Sequence, residues 1–143
     1  MIKYIIVLFI FLQFILPAGE KVEFIQDASI IKAKKTINLK IALAQTPATW
    51  QKGLMKIKKM ESNQGMLFIF PKEKHRIFWM KDTYIALDLI FLNKNLEIIG
   101  IVENNQPMSE ENIKIDKKSK YILEVNAGFV KKHKIVIGEK LKL

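Results

Sequence analysis

The sequence predicts an all-β domain, a small sandwich or partly closed barrel of about seven or eight short strands with one or two short helices. Three observations carry that expectation. Residues 36–44 alternate apolar and polar with a period of two, a succession of short apolar runs is punctuated by Gly, Pro and polar clusters, and Asn93-Lys94-Asn95 is a tight polar turn between two β-rich runs.

The chain opens with Lys3 as the only charge, an apolar run over residues 4–16 broken only by Gln13, and the exit Pro17-Ala18-Gly19. A charged start, an apolar middle and a small-residue exit form a secretory signal. The apolar run is shorter than the roughly 20 residues a spanning helix needs. Cleavage after Ala18 or Gly19 is the preferred reading, with Leu16 or Pro17 a poor fit to the small-residue rule at the third position before the cut; an uncleaved anchor is the alternative. The expected organisation is a signal over residues 1–19 and a single β-rich domain over 20–143, exported to the periplasm or beyond.

In residues 36–44, Ile37, Leu39, Ile41 and Leu43 share one face, the mark of a half-buried strand. Thr46-Pro47 then supplies a helix cap and a first-turn proline, and Gly53 suits the residue after one or two helical turns. A strand starts at Gly65 and is expected to stop at Pro71. In residues 77–80, alternation puts Phe78 and Met80 on one face and Trp79 and Lys81 on the other. Residues 84–92 and 96–103 form the expected hairpin. Further along lie a polar loop at 104–112, a strand at 120–125, a short helix within 127–133, and a last strand over 135–143 interrupted by Gly138.

Composition narrows the function classes. There is no Cys, which removes thiol catalysis and cysteine-based zinc sites, and the net charge is +10. That charge is almost wholly lysine, because Arg76 is the one arginine. Base readers lean on the arginine fork, so nucleic acid is not the expected partner. Anionic lipid or an acidic envelope polymer fits a basic surface better. No cofactor or metal is expected: His75 and His133 are far apart and flanked by charge, and no His/Asp/Glu group has ligand spacing. Ser29, Ser62 and Ser109 lie in no nucleophile motif.

Five segments occur in one order: Gly53-Leu54-Met55, Gly65-Met66-Leu67-Phe68-Ile69-Phe70, Phe78-Trp79-Met80-Lys81-Asp82-Thr83, Leu87-Asp88-Leu89-Ile90-Phe91 and Leu123-Glu124-Val125-Asn126-Ala127-Gly128. Together they resemble the family catalogued as domain of unknown function 192, from about Ile37 to the C-terminus. The resemblance implies an all-β domain, often behind a signal peptide, with no established activity. This chain departs from the pattern at Asp82, where an asparagine is usual, and at Trp50 and Lys52, where arginines are. The cysteines some members carry are missing from residues 104–112.

The candidate site comprises Trp79, Lys81, Asp82, Thr83, Asp88 and Glu124. An aromatic beside hydrogen-bonding groups can stack on a saccharide or small ligand, with Lys81 and Thr83 donating and the carboxylates accepting. The packing alternative makes Trp79 core and Asp88 a buried carboxylate that ties down a loop through backbone N–H groups or holds Lys81. An enzyme alternative uses Asp88 and Glu124 as the acid and base of a hydrolase, which demands that they converge. A third class is a structural or partner-binding module in which all six residues serve packing.

Overall fold

A computed structural model describes residues 21–143. The signal expected over residues 1–19 lies outside the described residues. Seven strands form one sheet: β1 (Gln26–Ile31), β2 (Thr36–Ala44), β3 (Gln64–Lys74), β4 (Leu87–Leu92), β5 (Ile98–Asn105), β6 (Ser119–Asn126) and β7 (Lys140–Lys142), in the order β5-β4-β6-β3-β2-β1-β7. Two short helices, α1 (Pro47–Lys52) and α2 (Phe129–His133), complete the mainly β architecture. Among the described residues no helix is long and apolar enough to cross a membrane.

All pairings are antiparallel except β2 with β3, whose crossover carries α1. The sheet curls until its ends meet. The β7 segment pairs with β1 on one side and, through Leu141 N–H to Leu96 C=O (2.9 Å) and Ile98 N–H to Glu139 C=O (2.8 Å), with the start of β5 on the other. Such curling covers strand edges that would otherwise template association.

The helix α1 follows its sequence signals. Thr46 caps it, with Thr49 returning a hydrogen bond to the cap backbone, Pro47 occupies the first turn, and Gly53 ends it at φ 46°. A Cβ on Gly53 would sit 3.0 Å from Phe68 Cζ, so the position needs glycine for its positive φ and for space. Trp50 then locks the helix to the sheet by donating its indole N–H to the carbonyls of Ala44 (3.0 Å) and Ile69 (3.1 Å).

The hairpin is present as β4 and β5, although residues 84–86 stay outside the strand. Two other expectations are corrected, and one strand, β1, is additional to those placed from the sequence. The strand β3 runs through Pro71 to Lys74, because the β3–β6 register shifts between Ile69 and Lys74 and no regular ladder bond is required at the proline. The last strand shrinks to Lys140–Lys142 after a turn in which Gly138 has φ 94°. The strand β1 carried no clear alternation in sequence, since only Ala28 and Ile30 are buried.

Both faces of the central strands are buried. The inner face packs Leu67 of β3, Ile90 and Leu92 of β4 and Leu123 and Val125 of β6 with residues of β1, β2, β7 and α2. The outer face packs Met66, Phe68 and Phe70, Leu87, Leu89 and Phe91, and Ile122 beneath Leu54, Met60, Met80 and Ile113 from the covering loops. Asp88 belongs to the inner face and is fully buried. Its Oδ1 accepts from Asn104 N–H (2.8 Å) and its Oδ2 from Val130 N–H (3.0 Å). One carboxylate therefore holds both the end of β5 and the first turn of α2, whose cap residue Gly128 has no side chain to do so.

Replacing Asp88 by Ala leaves the buried Val130 amide and the part-buried Asn104 amide without this acceptor, so Asp88→Ala should lower unfolding free energy by about 2–4 kcal/mol. Urea unfolding measures the loss, and amide exchange at Asn104 and Val130 should accelerate with it. An unchanged midpoint would refute this role.

Candidate functional site

A cleft of about 540 Å³ opens on the outer face, between α1 with the turn after it and residues 75–83. Its buried lining comes from the sheet and adjacent loops: Phe68, Phe70, Leu54, Thr83 and Glu124. Phe78 stands edge-on to Phe68, with ring centres 5.0 Å apart at 85°. Trp79, His75 and Ile77 line it as exposed side chains.

Residues 78–83 are irregular and are held by backbone bonds to the loop beyond β5. Phe78 and Ile113 exchange both N–H···O bonds at 2.9 Å, Met80 N–H donates to Ser109 C=O (2.8 Å), and Met108 N–H donates to Thr83 C=O (3.0 Å). This lacing preserves the alternation read from sequence. Met80 is 1% exposed, whereas Trp79 is 46% exposed and not core.

Glu124 projects from β6 between Met66 of β3 and Leu89 of β4, its register partners. It is 5% exposed, and no hydrogen bond or ion pair reaches its carboxyl among the described residues. Burial raises its pKa to about 8. At neutral pH the group is therefore mostly a neutral acid, able to donate one hydrogen bond and accept others. Thr83 is buried beside the same cleft and donates its hydroxyl to Lys81 C=O at 3.2 Å.

The six sequence candidates separate. Trp79, Thr83 and Glu124 come together in the cleft. Lys81 and Asp82 share with Trp79 an adjoining depression next to Met55 and Lys56. Lys81 Nζ lies 5.3 Å from the centre of the Trp79 ring and 3.4 Å from Glu110, while Asp82, at φ 53°, accepts from Lys56 N–H through its carbonyl (2.8 Å). Asp88 is elsewhere. Its neighbour Leu89 faces the outer core and is paired with Glu124, so strand alternation sends Asp88 through the opposite side of the sheet. The acid–base pair required by the hydrolase alternative is not formed, and Glu124 is the only carboxyl among the described residues lining the cleft.

Two residues set aside in the sequence join the cleft. His75 lines it while remaining exposed. Arg76 lies over Phe70, with Cζ 3.8 Å from the ring centre, and donates through Nη2 to Lys72 C=O at 2.6 Å. Its Nε is buried with no hydrogen-bond partner among the described residues, and desolvation lowers its pKa. The sequence signal that could have found it is its singularity, one arginine beside an F-W run in a lysine-rich chain.

The Glu124 shift fixes a pH dependence. Its folded pKa is raised, so the stability it contributes is complete below the ordinary carboxyl value of 4.5 and declines as pH rises to about 8. Urea unfolding between those values should show stability falling with pH. Glu124→Gln, which stays neutral, should flatten that slope and be the more stable protein at the alkaline end, by a few kcal/mol. Parallel profiles for the two proteins would contradict a buried, unpaired carboxyl.

Comparison with known proteins places this geometry in context. Residues 29–143 match the model of the DUF192 family, described as Uncharacterized ACR, COG1430. No curated protein matches the chain. A solved Sinorhizobium meliloti structure, described as a "putative transcription regulator", is similar at 35% identity and TM-score 0.81, over 85% of this chain and 96% of that one. A Novosphingobium aromaticivorans protein of unknown function is similar at 27% identity and TM-score 0.80, over 83% of this chain and 85% of that one.

Proposed function

The chain belongs to the DUF192 family, and from that premise we propose that it is an exported β-domain that binds a small hydroxyl-rich ligand, an envelope carbohydrate, in the cleft beneath Trp79. The observation that carries this reading is the unpaired Glu124 carboxyl in a cleft that also presents a 46% exposed tryptophan. Among the described residues no protein group serves that carboxyl, so a ligand hydroxyl can take up its hydrogen bonds. The cleft volume lies within the range of small-molecule sites.

The roles follow from the geometry. Trp79 offers a flat apolar face to the apolar side of a sugar ring. Glu124, protonated, donates to one ligand oxygen and accepts from another hydroxyl. Thr83 adds a buried hydroxyl. Lys81 and Asp82 flank the other side of Trp79 and would meet a ligand extending past it. Asp88 takes no part. The export half of the proposal rests on residues 1–19 alone.

The similar Sinorhizobium meliloti structure is described as a "putative transcription regulator". In this chain the single arginine is stacked on Phe70 inside the cleft, an arrangement that does not offer its fork to base edges.

A thermal-shift screen of the full chain against N-acetylated amino sugars, neutral hexoses and uronic acids tests the reading. A saturating sugar should raise the unfolding midpoint by several degrees. Trp79→Ala should abolish that shift, and Glu124→Gln should reduce it. A sugar that stabilises native protein and Trp79→Ala equally would move the site elsewhere, and no shift with any sugar would end the carbohydrate assignment.

A further inference from the structure

The basic charge of the chain is concentrated in space. Residues 32–35 and 131–142 carry eight lysines and one acid, a balance of +7 within a chain whose net charge is +10. These two segments lie about a hundred positions apart in sequence, and the fold joins them. Ile31 is opposite Lys140 in the β1–β7 ladder, and Lys32 Nζ donates to Lys134 C=O at 2.6 Å. His133 registers the same crowding: its protonation is disfavoured by burial first, then by Lys132, Lys35 and Lys32.

Amid these lysines the chain makes a rigid apolar projection. Residues 136–139 form a turn in which Gly138 has φ 94° and Glu139 N–H approaches Val136 C=O at 3.4 Å. The acid of the cluster is consumed in holding it, because the Glu139 carboxylate accepts from Val136 N–H (3.1 Å) and pairs with Lys32. The turn leaves Val136 55% exposed and Ile137 61% exposed, and Ile31 nearby is 41% exposed. Neither core cluster includes these three side chains.

We propose that this end of the barrel docks on a bilayer rich in anionic phospholipid, with Val136 and Ile137 entering the headgroup region and the surrounding lysines facing lipid phosphates. Each half of the patch needs the other for this partner. A bilayer interface takes up exposed aliphatic side chains and attracts lysine, whereas a soluble polyanion would engage the lysines and leave the aliphatic tip in water. Lysines serve here because a diffuse phosphate surface calls for point charges, not the bidentate geometry of arginine. The surface shares no residue with the cleft, so it stands or falls independently of the carbohydrate reading.

The chain has no Cys, so Ile137→Cys can carry a single environment-sensitive fluorophore in the full chain. With vesicles of phosphatidylcholine plus phosphatidylglycerol the dye should brighten and shift to the blue. With phosphatidylcholine alone it should not, even where residues 1–19 bring the chain down with the vesicles. Adding salt should reverse the response. Lys34→Glu combined with Lys132→Glu should weaken it by at least about tenfold; should that variant fold poorly, the salt titration of the labelled parent chain reads the same dependence. Equal responses on both vesicle types, or no response on either, would overturn the proposal. So would a dye that stays in water on anionic vesicles while dextran sulfate binds the lysines, which would identify a polyanion surface.

Discussion

Three central strands, β3, β6 and β4, are buried on both faces, and nearly everything else in the molecule depends on the register among them. A side chain in a strand has two directions to choose from, and here each leads into a different apolar cluster. A slip of one residue would exchange the two sets, placing Glu124 toward the interior of the curl and Asp88 in the cleft. Met66 opposite Glu124 and Leu89 opposite Glu124 record the register that prevents this. Gly65 tightens the constraint, because a Cβ there would sit 2.7 Å from the carbonyl oxygen of Glu124.

The two buried carboxyls show how one residue class acquires opposite roles from its surroundings. Asp88 is met by two backbone amides, which serve both oxygens of the side chain. Glu124 is met by hydrocarbon and an open cleft, so its neutral form prevails. The first arrangement secures loops to strands. The second retains unspent hydrogen-bonding capacity in a cleft that Arg76 also lines. Such groups oppose folding, and their placement around one cleft is the main physical contrast between that region and the rest of the outer face.

The cleft and the basic end are built by different means. Around the cleft, irregular residues are laced to a neighbouring loop by backbone bonds, which keeps Trp79 outward while Phe78 and Met80 pack inward. At the basic end, strand pairing between β1 and β7 collects charges that would lie far apart in a more open chain. Glu139 there pairs with one lysine and orders a turn, and the two segments remain strongly positive.

Sequence alone determined the local features: the capped α1, the hairpin around Asn93-Lys94-Asn95, the opposite directions of Trp79 and Met80, and the family resemblance. The first three depend on residues within a few positions of one another, where backbone geometry ties side-chain direction to spacing, and the resemblance rests on the order of five short segments. Tertiary structure decided which faces met. It parted Asp88 from Glu124, brought His75 and Arg76 to the cleft that Glu124 lines, revealed β1 as a strand through its partners, and merged two distant lysine segments. Those outcomes depend on long-range register and on how far the sheet curls. Period-two alternation states that neighbours point apart, and it leaves open what stands on either side.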